Sequence, residues 1–236
     1  MRERKVVTVH QPEHMPWTGF FHKMMLADHY VILDSVQYRK GYFHNRNKVI
    51  NKNGTVSYIT VPCLLSDGKW RNPISKIEVD FGRDWQQQYL GTIYECYSGF
   101  TSFSDVYPTI EMIINECPVT LCELNMQLIY FFRELLGISS PISFSSDQQS
   151  SLGASELLVE LCKSNNATTY LAGPSGKDYL NEDLFVSENI SVDYHQFAPP
   201  TYDMGAFSPG LSTLDLVMRF GSQAAEVIHS GGGRYE

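Results

Sequence analysis

The segment Lys5–Asp34, KVVTVHQPEHMPWTGFFHKMMLADHYVILD, carries the reading of the fold. Lys5 to His10 is a β-branched run stopped by Gln11-Pro12, as expected of a buried strand whose ladder proline ends. Trp17 to Ala27 then spaces its apolar groups as a helix does, and Tyr30 to Leu33 resumes as a strand closed by Asp34. Strand, helix and strand within about thirty residues make the unit expected of a parallel crossover.

Working outward, Gln37 to Asp80 changes character. Asn51-Lys52-Asn53-Gly54 is a hairpin signal, followed by strand-like runs at Val56 to Val61 and Ile74 to Val79, so residues 37–80 read as a small antiparallel insert. Asp84 to Gly137 reads as helical throughout. Its clearest helix starts at Thr120 with Glu123 three residues on, a capping-box pattern, and carries Leu121, Leu124, Leu128, Phe131 and Leu135 on one stripe. A Ser-rich linker, Ser139 to Ser151, leads to further alternation: helix at Ser155 to Lys163, strand at Thr168 to Leu171, helix at Leu180 to Val186, strand at Ile190 to Tyr194. A last helix, Ser212 to Phe220, opens on another box pattern, Ser212 with Asp215, and the glycines from Gly231 to Gly233 read as a frayed tail. The expected architecture is α/β, one domain over residues 1–236: a mixed, mainly parallel sheet with helices on both faces.

Composition narrows the function. Apolar residues form 43% of the 236-residue chain and charged residues 19%, a globular balance. The net charge of −8 works against a long phosphate backbone as ligand, so genomic nucleic acid is not expected as a partner. Arg39, Lys40, Arg46, Lys48 and Lys52 nevertheless concentrate positive charge locally, as a solvated hairpin would or as a site for a small anion such as a nucleotide diphosphate would. Five cysteines, Cys63, Cys96, Cys117, Cys122 and Cys162, show neither C-x-x-C nor ligand spacing, so neither a disulfide framework nor a metal site is expected. No stretch approaches the ~20 apolar residues that span a bilayer, and a cytoplasmic protein is expected.

Chemistry-bearing side chains crowd the N-terminal third: His10, Gln11, Glu13, His14, Trp17, Asp34, Gln37, His44, Asn45, Arg46 and Asn47. Ligands of open α/β sheets sit beyond the carboxyl ends of strands, where His10 and Asp34 both fall. A histidine beside a carboxylate is a common general base near neutral pH, which makes His10 and Asp34 the candidate catalytic pair. His10 can equally serve only a neighbouring loop. His22 and His29 read as lying on the exposed side or end of the first helix. A second constellation, Gly173-Pro-Ser175-Gly176-Lys177, follows a strand and can present amides to an anion, although a plain glycine-containing turn explains the same spacing. The P-loop pattern is absent. Cys63 reads as a packing thiol.

His10-Gln11-Pro12, Pro16-Trp17 with Gly19-Phe20-Phe21 and Lys23, Ala27-Asp28, Asp34 with Val36-Gln37, Asn45-Arg46-Asn47 and Val61-Pro62 come in an order that resembles the WbqC-like family. The Gly173-x-Ser175-Gly176-x-x-Tyr179-Leu180 turn and Leu211-Ser212-x-Leu214-Asp215-Leu216 continue the likeness to the end of the chain. The resemblance implies an accessory enzyme of O-antigen or other surface-glycan (lipopolysaccharide) synthesis, with a glycine-transferase label for the family. On that view the chain is an acyl- or aminoacyltransferase acting on the amine of a nucleotide-linked amino sugar. His10 is its base, Asp34 orients it, and Gln11, Trp17, Gln37, Asn45, Arg46, Asn47, Gly173, Ser175, Gly176 and Tyr179 are expected to bind substrate. No tightly bound cofactor is implied, and the donor is a carrier-protein thioester, an acyl-coenzyme A or an aminoacyl-tRNA. The alternatives are a nucleotidylyltransferase-like enzyme, despite His10-Gln-Pro-Glu-His14 in place of H-x-G-H, and a non-catalytic sugar-nucleotide binding module.

Overall fold

The computed structural model describes residues 3–148, 152–202, 210–230 and 234–235. β1 (Val6–His10), α1 (Thr18–Met25) and β2 (His29–Ile32) form the expected crossover. The hairpin of β3 (Arg46–Ile50) and β4 (Val56–Thr60) follows, then α2 (Gln86–Tyr97), α3 (Phe103–Asn115) and α4 (Leu121–Leu135). β5 (Ile142–Phe144), α5 (Ala154–Ser164), β6 (Thr169–Ala172), α6 (Glu182–Ser187) and β7 (Ser191–Tyr194) complete the alternating part. β8 (Thr201–Tyr202), α7 (Thr213–Phe220), α8 (Ala224–His229) and β9 (Arg234–Tyr235) end it.

The main sheet has the order β5-β2-β1-β6-β7 and every pairing in it is parallel; β3 and β4 form a separate antiparallel ribbon. Alternate residues of the central strands feed two cores. Tyr30 and Ile32 pack with Phe20, Phe21 and Met24 of α1 and Leu124 and Leu128 of α4. Val7, Val9 and Val31 pack on the other side with Leu158 and Leu161 of α5 and Phe185 of α6. Helices therefore cover both faces, as a parallel sheet with two apolar faces requires. The insert shares the first core through Val49, Ile59 and Val61.

Several local expectations needed correction. The linker contains β5, a three-residue edge strand paired with β2, too short and Ser-flanked to announce itself; the part of the linker at 149–151 and the Gly231 to Gly233 tail lie outside the described residues. Ile74 to Val79 is a 3-10 turn, Ile74–Lys76, with only isolated bridges from Glu78 and Val79, because Pro73 leads the chain into the turn. The helical stretch after Asp84 is three helices. α4 has the full reciprocal capping box, and Gly137 leaves it at φ 62°, a left-handed conformation that glycine adopts without strain. At α7 the Ser212 hydroxyl accepts from the Leu214 amide, but Asp215 turns away to Tyr202 and Arg219.

Candidate active site

The chain runs from β1 through β2 to β5 on one side of the sheet, then to β6 and β7 on the other, so strand order reverses between β1 and β6. Such a switch point opens a crevice at the carboxyl edge. Four strand ends deliver polar side chains there, Ser145 and Ser146 after β5, Asp34 after β2, His10 on β1 and His195 after β7, while Gly173 follows β6.

His10 lies edge-on to Phe20, with ring centroids 5.0 Å apart. Its Nδ1 is 3.0 Å from the Gln11 carbonyl, which can only accept, so Nδ1 carries the proton and Nε2 carries a lone pair. Burial, with Lys23 the next contributor, holds its pKa down at about 3, so the ring is neutral. Nε2 faces Glu13 Oε1 at 3.9 Å. The Glu13 side chain keeps 15% of its surface accessible, yet its Oε2 is buried with no protein hydrogen-bond partner. Burial pushes the Glu13 carboxyl up to about 8, against the pull of Lys23.

Lys23 comes from α1, a helix buried at every position from Thr18 to Met24. It is 3% exposed and donates to the Val9 carbonyl at 3.0 Å. Burial brings its pKa down to about 7, opposed by Glu13. The fully buried Tyr30 hydroxyl also lacks a protein partner, and the Glu13 charge acts on it. Behind this group, His22 Nδ1 and His195 Nε2 are 2.8 Å apart, with Phe197 stacked on His22 at 4.6 Å and Trp17 edge-on to Phe197 at 5.8 Å. Burial lowers His195 to about 4. His22 is thus interior, not on an exposed side: α8 contributes Ala224, Val227 and Ile228 to the core on that flank of α1.

The loop that carries Glu13 is held from three sides. His14 Nδ1 donates to Asn125 Oδ1 at 2.8 Å, its Nε2 accepts from Tyr89 at 2.7 Å, and Asn125 Nδ2 donates to Pro12 and His44 carbonyls. Asn47 Nδ2 donates to the Met15 carbonyl at 2.7 Å, beside a backbone held at φ 44°. His44 Nδ1 accepts from the Arg39 amide, so its Nε2–H donates to Gln11 Oε1 at 2.7 Å.

The other expected site residues separate into two groups. Gln11 follows His10 and accepts from His44, and Trp17 packs edge-on to Phe197, which stacks on His22. Asp34 accepts from the Ser145 hydroxyl at 3.1 Å and from the Ser146 amide and hydroxyl at 2.9 and 2.7 Å, so its carboxylate ties β2 to the end of β5, while the carboxylate beside His10 is Glu13. Asn45 bonds Tyr38 and the Val61 carbonyl, Asn47 braces the loop, and Arg46 lies over Tyr58. Gln37 is exposed, bridged through its backbone to Pro73. Gly173 begins a 3-10 turn, Pro174–Asp178, on which Ser175 is exposed. The Gly176 amide is used within that turn, and a Cβ there would meet Leu180 at 2.9 Å. Tyr179 is also exposed. Cys63 donates weakly to the Val61 carbonyl, and burial pushes its thiol up to about 12, the state of a packing thiol.

Sequence reasoning missed Lys23, Tyr30 and His195 as site residues and did not separate Glu13 from its neighbours. His195 follows β7 just as His10 ends β1, so the strand-end rule could have found it. Among the described residues, no group of three His, Cys, Asp or Glu is placed to hold a metal ion, and no helix is long and apolar enough to cross a membrane.

No solved structure matches the chain. It is similar to an uncharacterised protein of Mycobacterium tuberculosis, 30% identical over 228 residues that span 95% of this chain and 97% of the relative. Residues 11–227 match the WbqC-like protein family, from the residue after His10 to α8, and the chain belongs to that family.

Proposed function

We propose that the chain is an acyl- or aminoacyltransferase acting on the amine of a nucleotide-linked amino sugar in surface-polysaccharide synthesis, and that the reacting amine enters the cluster of His10, Glu13, Lys23 and Tyr30. One observation carries the reading: Glu13 Oε2 and the Tyr30 hydroxyl are buried without protein partners, and the lone pair of His10 Nε2 stands 3.9 Å from Glu13 Oε1 at the end of β1. A neutral amine supplies two N–H donors to such acceptors and keeps the lone pair with which it attacks.

Acyl transfer then follows from groups already in place. The amine nitrogen attacks the donor carbonyl and the C–N bond forms. Lys23, in its ammonium form, stabilises the oxyanion. Glu13, with a pKa near the working pH, takes the proton from nitrogen and returns it to the leaving group as the C–X bond breaks. His10, neutral and a poor base at a pKa of about 3, orients the amine.

The test is product mass after incubation with a panel of nucleotide-linked amino sugars and acyl donors. Product with wild type, and at least about 100-fold less with a Glu13→Gln variant that folds and still binds the sugar, is expected. Full turnover by Glu13→Gln would overturn the assignment. The sheet order, with His10 at the end of β1, favours as second reading a nucleotidylyltransferase-like enzyme. Magnesium-dependent pyrophosphate release would identify that chemistry.

A further inference from the structure

The acidic total conceals a sharp partition of charge. Residues 37–80 hold eight Lys and Arg against three Asp and Glu, a net +5, which leaves −13 on the rest of the chain. Two of those three acids are paired, Glu78 with Lys69 and Asp80 with Arg83. Arg39, Lys40 and Arg71 have no carboxylate partner among the described residues.

The same surface exposes aromatic rings, each with a guanidinium beside it. Arg39 stands 5.4 Å from the Tyr42 ring centroid, Arg46 4.9 Å from that of Tyr58, and Arg71 5.1 Å from that of Trp70. These residues are 52%, 49% and 42% exposed, so each aromatic side chain flanked by a guanidinium still presents surface to solvent. Hydrogen bonds join the pieces: the Arg46 guanidinium donates to the Gly41 carbonyl, and the Tyr38 amide donates to the Asn72 carbonyl beside Arg71. Tyr42 stacks on His44, whose Nε2 bonds Gln11, the residue after His10. The patch thus runs to the edge of the candidate active site.

Exposed aromatic side chains interleaved with positive charge are what single-stranded nucleic acid binds: bases stack, phosphates meet the cations, and no basic groove around a duplex is needed. We infer that the insert face of Arg39, Tyr42, Arg46, Tyr58, Trp70 and Arg71 binds the single-stranded end of an RNA that carries the acyl group to the active site. The inference rests on the transferase reading only for what the RNA delivers. In that reaction the acyl ester C–O bond breaks, the amide C–N bond forms, and the amine proton passes through Glu13 to the RNA hydroxyl.

Fluorescence anisotropy with a labelled single-stranded RNA of about 12 nucleotides, ending in C-C-A, tests it. Micromolar binding at about 50 mM salt is expected, weakened at least about 10-fold at about 200 mM. Tyr42→Ala/Tyr58→Ala should lose at least about 10-fold, and Arg39→Gln/Arg71→Gln should flatten the salt dependence, both with unchanged thermal unfolding. Glu13→Gln should bind the RNA as wild type does, which keeps this result separate from failure of the transferase chemistry. The inference is overturned by absence of binding at about 50 mM salt, by equal binding to the variants, or by a blunt duplex binding as tightly. It is equally overturned if free coenzyme A displaces the RNA at similar concentration, or if anionic phosphatidylglycerol vesicles bind and the RNA does not.

Discussion

His14 and Asn125, 111 residues apart in sequence, share a buried 2.8 Å hydrogen bond that fixes the loop presenting Glu13. Asn125 also donates to the carbonyls of Pro12 and His44, so one carboxamide satisfies three groups from two segments. Asn125→Leu keeps the volume and removes all three partners. It should cost about 3 kcal/mol or more, since each buried polar group left unpaired costs about 1–3 kcal/mol. Urea denaturation would check this. A loss below about 1 kcal/mol would mean the loop is held elsewhere.

Acid should unfold the protein through its histidines. Burial lowers His10 to about 3 and His14, His44 and His195 to about 4. Between those values and 6.5 the unfolded chain binds more protons than the native one, so native stability falls as pH drops through that window. Glu13, raised to about 8, opposes this with one proton bound in the native state. The balance at pH 5.5 is an uptake of roughly two to three protons on unfolding. Measured uptake below one proton would show that these rings are already charged when folded.

The glycine turn after β6 offers a contrast between neighbours. Gly176→Ala places a methyl 2.9 Å from Leu180 Cδ1, 3.2 Å from Ala172 Cβ and 3.3 Å from Tyr194 Cε1, and should cost about 1–3 kcal/mol. Ser175→Ala, on the exposed side, should stay within about 0.5 kcal/mol. Thermal unfolding separates the two; equal effects would remove the packing explanation for Gly176.

The expected crossover, the insert hairpin and α4 were legible because each is a local pattern: a β-branched run stopped by proline, an Asn-Gly turn, a capping box. The site was legible only by halves. His10 and Asp34 both stand at strand ends as read, but the partners of Asp34 are Ser145 and Ser146, supplied by a strand hidden in a Ser-rich stretch. His22 and Lys23 point inward because α8 covers the flank of α1 that periodicity assigns to water, and helical spacing carries no information about a helix 200 residues later. The Glu13–Lys23 couple depends on a loop geometry fixed by Asn125 and Asn47, which no spacing within Gln11 to Lys23 encodes.

That couple yields the sharpest prediction, because each member shifts the other. Burial alone drives the Glu13 carboxyl up and the Lys23 ammonium down; the opposite charge of each moderates the shift of its partner. Removing Lys23 therefore leaves the Glu13 carboxylate more costly, and its pKa should move further up from about 8. Lys23→Met tests the loss of charge, and Lys23→Gln retains a donor for the Val9 carbonyl if the methionine variant folds poorly. Carbon-13 NMR of the Glu13 carboxyl reads the titration without any substrate. If Glu13 is the base, the acidic limb of the pH–rate profile must follow to higher pH by the same amount, since only the ionised carboxylate accepts the amine proton. A Glu13 that titrates in the usual carboxylate range, or does not move in either Lys23 variant, would sink the couple. A titration that moves while the rate profile stays fixed would take the proton-transfer step away from Glu13.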